Sequence, residues 1–321
     1  MYQQFYGLRE RPFDLAPDPR FLFLSAKHRE ALSTLEHGIA ERNGIVVLIG
    51  EAGTGKTTLI KAVLESMRPS LHRLVHVTNP APARREFIEL LASGFGLSSL
   101  AASSEARFLL ELEQAIIERN HARGVTALII DEAQDLPDVL LEEVRLLSNI
   151  EPAGRQLLSV VLAGQPELDR RLEHSELQQR LGPKCRIGPL DIRETAAYIA
   201  SRVRVAGGEA KQVFSRDAVF AVFEQSHGVP QVINLICDNA LREGLATNTR
   251  PVTRKIVVDV CQRLDLAETV PTLRPGAAPE PPAVDPLLGP EDDDSPPLLL
   301  DVPQPFSWRR LFRRRRDQSQ S

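Results

Sequence analysis

The stretch IVVLIGEAGTGKTTLIKAVLE, residues 45–65, decides the fold. Its centre, GEAGTGKT at residues 50–57, matches the whole of the pattern G-x-x-x-x-G-K-[ST]. An apolar, β-branched run precedes it and a helix-length segment follows, so the motif has the strand-loop-helix setting that it requires. Gly50, Gly53 and Gly55 let the backbone curl until successive amide N–H groups and a helix N-terminus face one anion. Glu51, Ala52 and Thr54 contribute the backbone between them. Lys56 then reaches the β- and γ-phosphates of a nucleotide, and the Thr57 hydroxyl is placed to ligate magnesium.

Outward from this motif, short apolar runs recur at residues 45–49, 74–77, 125–130 and 157–162 and alternate with helix-length segments. That alternation predicts an α/β fold in which a parallel sheet is flanked by crossover helices. The runs are continuously apolar, as strands covered on both faces require. From Asp191 the strand signals stop. Asp191 with Glu194 forms a capping-box pattern that opens a helix to about Ala206. Three further helical faces follow, through Val219, Val222 and Phe223, through residues 232–241, and through residues 256–264, with Gly228 and Pro230 as punctuation. The expected domains are an α/β domain over residues 1–190 and a small all-helical lid over residues 191–267. Eleven of the 24 prolines and the acidic run 291–294 fall within residues 268–305, which predicts a disordered linker, and residues 306–321 form a basic aromatic tail.

A phosphate loop alone gives binding, and a second acidic element decides whether there is hydrolysis. ALIIDE, residues 127–132, is an apolar strand ending in two carboxylates. Asp131 is placed to hold magnesium through its water shell, and Glu132 to act as general base on an attacking water. The next run, LLSVVLAG, ends at Gln165, whose amide would reach the γ-phosphate or that water; as a plain alternative it is a turn residue before Pro166. Arg180, in LQQRLGPKCR, stands near the end of the α/β domain, where it would meet the nucleotide of a neighbouring subunit, or form a solvated basic edge with Lys184 and Arg186.

The chain has 42% hydrophobic and 26% charged residues, which excludes fibrous and wholly disordered classes. It has neither a signal-peptide pattern at its start nor an apolar run long enough to span a bilayer, so a cytoplasmic location is expected. Cys185, Cys237 and Cys261 are widely spaced, which argues against a disulfide framework or a zinc site, and the latter two fall on apolar helical faces. The net charge of −4 is uneven: residues 309–321 carry +5, leaving −9 on residues 1–308, a poor surface for non-specific nucleic-acid binding.

Together these segments resemble the ExeA/GspA-like family of AAA+ ATPases. The resemblance runs from residue 1 to about 266 and is carried by FYGLRERPFDLAPDPRFLFLSAKHREAL, GEAGTGKTTL, LIIDEAQDL, VVLAGQPEL and GVPQVINLICDNAL in order. It implies a P-loop NTPase sheet with a helical lid, ATP and Mg2+ as cofactors, and a homo-oligomer. It implies Walker A at residues 50–58, including Thr58, Walker B at Asp131 and Glu132, sensor 1 at Gln165, an arginine finger at Arg180, and an N-terminal box lying over the adenine. One departure is Gln231, where relatives carry a sensor arginine; a neutral amide cannot neutralise phosphate charge. A second is PFSWRRLFRRRRDQSQS at residues 305–321, where type II secretion relatives continue into a transmembrane helix and a peptidoglycan-binding domain. Its aromatic and arginine residues suit an anionic membrane surface, nucleic-acid phosphates, or no partner at all.

The expected function is an ATPase that drives or switches assembly of a cell-envelope system (secretion, pilus or exopolysaccharide) through a protein partner, working at the inner face of the membrane. The alternatives are an ATP-dependent DNA-binding regulator of the transposition or initiator type, and a nucleotide-gated scaffold with little turnover.

Overall fold

The computed structural model describes residues 2–14, 19–42, 44–67, 72–78, 83–151 and 154–264. The expected linker and basic tail lie outside the described residues. Two compact units divide the rest, residues 19–189 in one and residues 2–14 with 190–264 in the other.

In the first unit five parallel strands, β1 (Ile45–Ile49), β2 (Arg73–Val77), β3 (Thr126–Ile130), β4 (Leu158–Gly164) and β5 (Leu181–Arg186), lie in the order β2-β3-β4-β1-β5. Every residue of β1, β3 and β4 is buried. This is the pattern of inner strands with helices on both faces. The four strands read from the sequence appear within a residue or two of their expected ends. The fifth was not expected. LGPKCR contains glycine, proline and two cations, and it becomes a strand because its backbone pairs with β1 at the sheet edge, from Ile45↔Leu181 to Ile49↔Arg186 with one irregularity in register. An edge strand tolerates a proline that an inner one would not. The crossover helices include α2 (Ala26–Glu41), α3 (Lys56–Ser66), α4 (Arg84–Phe95), α5 (Glu105–His121), α6 (Asp138–Ser148) and α7 (Pro166–Glu173). Phe87, Leu91, Phe108, Leu112 and Val144 bury their side chains with Ile45, Leu128 and Val160 in one core.

In the second unit the capping box forms as read: the Asp191 side chain accepts from Glu194 N at 2.7 Å and Asp191 N donates to Glu194 Oε2 at 3.0 Å, opening α8 (Ile192–Val205). The other apolar faces become α10 (Arg216–Ser226), α11 (Pro230–Ala246) and α12 (Arg254–Arg263), with a short α9 (Ala210–Val213) between. The opening segment, read with the α/β domain, packs here instead through α1 (Tyr2–Tyr6). Tyr2 Oη donates to Asp238 at 2.6 Å, Tyr6 Oη to the Thr249 carbonyl at 3.1 Å, and Arg9 N to the Ala206 carbonyl at 2.7 Å. The N-terminal box is therefore divided between the two units. Cys237 and Cys261 are buried in this unit, in keeping with a packing role, and Cys185 is buried in the other.

Candidate nucleotide site

Parallel strands point their carboxyl ends the same way, so the turns after β1, β3 and β4 meet at one end of the sheet. The turn after β1 is the glycine-rich loop. Gly53 and Gly55 have φ of +75° and +105°, which a side chain would strain, and Gly55 is the N-cap of α3. Gly50 is glycine for a different reason: a Cβ there would lie 2.7 Å from Ile187 Cγ1 and 2.8 Å from Thr54 Oγ1. Glu51 and Gly53 are half-buried and Ala52 is exposed, while Thr54 is buried and its hydroxyl donates to the Glu51 carbonyl at 2.7 Å. Lys56, in the first turn of α3, is only 4% exposed and curls back so that Nζ donates to the carbonyls of Gly50 (2.9 Å) and Glu51 (3.2 Å). Its charge thus sits inside the loop, and a phosphate taking the place of those carbonyls would pair with it directly. Thr58 is half-buried one residue beyond Thr57.

Thr57 Oγ1 donates to Asp131 Oδ2 at 2.6 Å, joining the loop to the turn after β3. Asp131 is 3% exposed, and its other oxygen accepts from Glu132 N at 3.0 Å, so both carboxylate oxygens are oriented. A hydroxyl and a carboxylate in contact are a fitting pair for one magnesium ion, which takes few protein ligands and fills its octahedron with phosphates and water. Glu132 lies beyond the strand rather than on it, in a left-handed turn (φ +50°, ψ +40°).

Gln165 follows β4, which lies between β1 and β3, so it sits between the loop and the carboxylates. The end of β4 is tied to the loop by Gly50 N donating to the Gly164 carbonyl at 3.0 Å. Gln165 is also the N-cap of α7, with Pro166 in the first helical position, so it is at once a turn residue and a residue at the tip of the central strand. Arg180 is not gathered into this site. It precedes β5, level with Ile45 at the start of β1, about 17 Å of strand away from the loop. There it pairs with Glu151 and is about one-third exposed, on the side of the sheet that ends in β5. Lys184 and Arg186, on the edge strand, both pair with the buried Asp169 of α7, and Arg186 stays two-thirds exposed. Gln231 is exposed in the first turn of α11.

The sequence reading passed over three residues. His28 is 5% exposed, with Nδ1 bonded to Ser25 Oγ at 2.8 Å and Nε2 to the Thr54 carbonyl at 3.0 Å, and so braces the phosphate loop from α2. Only the S-x-x-H spacing at the start of α2 hinted at it. His76 of β2 is held below the usual histidine range by burial, with the charge of Asp131 acting the other way. Gln134, in the short turn after Glu132, donates from Nε2 to Glu132 Oε2 at 2.9 Å and accepts at Oε1 from Gln165 N at 3.0 Å.

A five-stranded parallel sheet in this order, with a phosphate loop after β1 and a carboxylate pair after β3, defines a P-loop protein of the AAA+ class. A family model described as an AAA domain matches residues 39–172. Within that class the chain belongs to the ExeA/GspA-like AAA+ ATPases, being 35% identical over 256 residues to General secretion pathway protein A of Aeromonas hydrophila. The alignment covers 78% of this chain and 46% of that protein, so the chain spans about half the length of the curated relative it matches. The solved structures it resembles share the fold at low identity. Cdc6p from Pyrobaculum aerophilum has a TM-score of 0.61 at 17% identity, covering 78% of this chain and 70% of that one. The Aeropyrum pernix ORC2 protein in ADPNP-ADP complexes gives 0.59 at 16%, covering 79% and 71%. The Thermotoga maritima RuvB Holliday junction branch migration motor gives 0.51 at 15%, covering 75% and 70%.

Proposed function

We propose that the chain binds Mg-ATP at residues 50–58 and hydrolyses it, and that this cycle drives or switches assembly of a cell-envelope system such as secretion, a pilus or exopolysaccharide. The observation that carries the chemistry is the 2.6 Å contact between Thr57 and Asp131, with the Glu132 carboxylate in the adjoining turn. In this reading the loop amides and Lys56 hold the phosphates, and Thr57 and Asp131 hold magnesium, which neutralises charge on the transferring phosphoryl group. Glu132 takes a proton from the attacking water, and Gln165 contacts the γ-phosphate.

Arg180 serves a neighbouring copy in this reading, because its position at the far end of β5 keeps it from its own nucleotide. The ATPase is accordingly a homo-oligomer. The name of the secretion relative supports an envelope pathway, and the reading adds a protein partner and a cytoplasmic site at the inner face of the membrane. Among the described residues no helix is long and apolar enough to cross a membrane. The test is phosphate release across a protein concentration series. Activity per chain should rise with concentration, and Arg180→Ala should fall at least about tenfold below the parent once the parent has assembled, with the gap closing at low concentration. Activity per chain that is flat in concentration and unchanged in Arg180→Ala contradicts the shared site.

A further inference from the structure

We propose that Gln134 is the positioning residue for Glu132, tying the general base to the tip of β4. The inference rests on the reading of Glu132 as that base. Four contacts converge on this one residue. Its Nε2 donates to Glu132 Oε2 at 2.9 Å and to Asp135 Oδ2 at 3.2 Å. Its Oε1 accepts from Gln165 N at 3.0 Å, and its carbonyl accepts from Arg171 Nη1 at 2.6 Å, with Arg171 Nη2 held in turn by Asp138 at 2.6 Å. Gly164 leaves the room: a Cβ there would lie 2.7 Å from Gln134 Oε1, so any side chain at the end of β4 would displace the amide.

The chemistry suits a positioning role. An amide N–H occupies one oxygen of the Glu132 carboxylate and leaves the other to receive a proton from water. Unlike a hydroxyl, imidazole or carboxyl, the amide takes no part in acid-base exchange with the base that it orients. Glu132 needs such a partner because its backbone is in a left-handed turn and nothing in β3 fixes its side chain. The same amide also joins two segments that meet different parts of a nucleotide. Gly164 accepts from the phosphate loop at Gly50, Gln165 donates to Gln134, and Gln134 donates to Glu132. A shift of the β4 tip on contact with the γ-phosphate is thereby carried to the base through two hydrogen bonds.

The experiment measures steady-state ATP hydrolysis by the full chain as Gln134→Ala, Gln134→Glu, Glu132→Gln and the double variant Gln134→Ala/Glu132→Gln. Gln134→Ala should lower kcat about 10- to 100-fold, as expected for a displaced catalytic group, with KM for ATP within twofold of the parent. Gln134→Glu keeps the acceptor for Gln165 N but replaces the N–H that holds Glu132 with a second carboxylate, so its kcat should fall as in Gln134→Ala, again with KM for ATP within twofold of the parent. A merely structural role would instead lower kcat and ATP affinity together. The double variant should be no slower than Glu132→Gln alone, since the two act as a unit. Parental or faster turnover in Gln134→Ala, or parental turnover in Gln134→Glu, overturns the proposal. Normal turnover in Glu132→Gln instead overturns the assignment of the base itself, which keeps the two failures apart.

Discussion

Gly228→Ala puts a number on the packing that leads into α11. The residue has φ of +76°, and a Cβ on it would lie 1.9 Å from the Leu190 carbonyl oxygen and 3.0 Å from Leu190 N. The left-handed backbone alone costs an alanine about 1 kcal/mol. The overlap is with backbone, which no rotamer change relieves, so the two segments must separate. That separation strains the 2.9 Å bond from Leu190 N to the Gly228 carbonyl, and an orphaned buried donor or acceptor costs about 1–3 kcal/mol. The total is about 2–4 kcal/mol, which for a helical unit of this size lowers its melting temperature by about 10 °C or more. Because two units can melt separately, the assay pairs scanning calorimetry with hydrogen exchange at α8 and α11. A variant melting within about 2 °C of the parent, with unchanged exchange at both helices, would refute the steric argument.

Two further outcomes follow from buried groups. Cys185 and Cys261 are pushed up to about 11 by burial, and burial also holds Cys237 well above the usual thiol range, so the native protein should react negligibly with a disulfide reagent at pH 8 while all three thiols react in urea. A fast-reacting thiol in the native state contradicts the packing role. Burial acts to raise the Asp169 carboxyl, but the bonds from Lys184 and Arg186 outweigh it and hold the group below the usual carboxylate range. A depressed carboxyl stabilises the fold above its unfolded value and loses that contribution as the pH falls through the carboxylate range. Asp169→Asn should therefore destabilise by about 1–2 kcal/mol at pH 7, a modest figure because Arg186 is two-thirds exposed, and by less near pH 4. Urea unfolding at both pH values checks this, and an equal deficit at both would remove the ion-pair explanation.

What was legible in the sequence is what neighbouring residues decide. The loop, Asp131 and the Asp191–Glu194 cap each sit within a few residues of the strand or helix end that gives them meaning. β5 was illegible because LGPKCR has poor strand character, and only the backbone of β1, more than 130 residues earlier, makes it one. Gln134 and His28 escaped for the same reason. Their decisive bonds, to Gln165 and Thr54, span 31 and 26 residues, and no local periodicity announces them. The N-terminal box was read as continuous with the sheet because it is continuous in sequence, yet Tyr2 and Tyr6 find partners 236 and 243 residues away.

In the proposed function, Glu132 makes this a hydrolase and not only a nucleotide-binding protein. The most direct measurement is phosphate release at saturating Mg-ATP by the parent and Glu132→Gln, with ATP affinity measured on the same samples. The variant should bind ATP within a few-fold of the parent and release phosphate at least about 100-fold more slowly. Equal release by the two proteins, or a parent that binds ATP and leaves it intact in the oligomer, would contradict it.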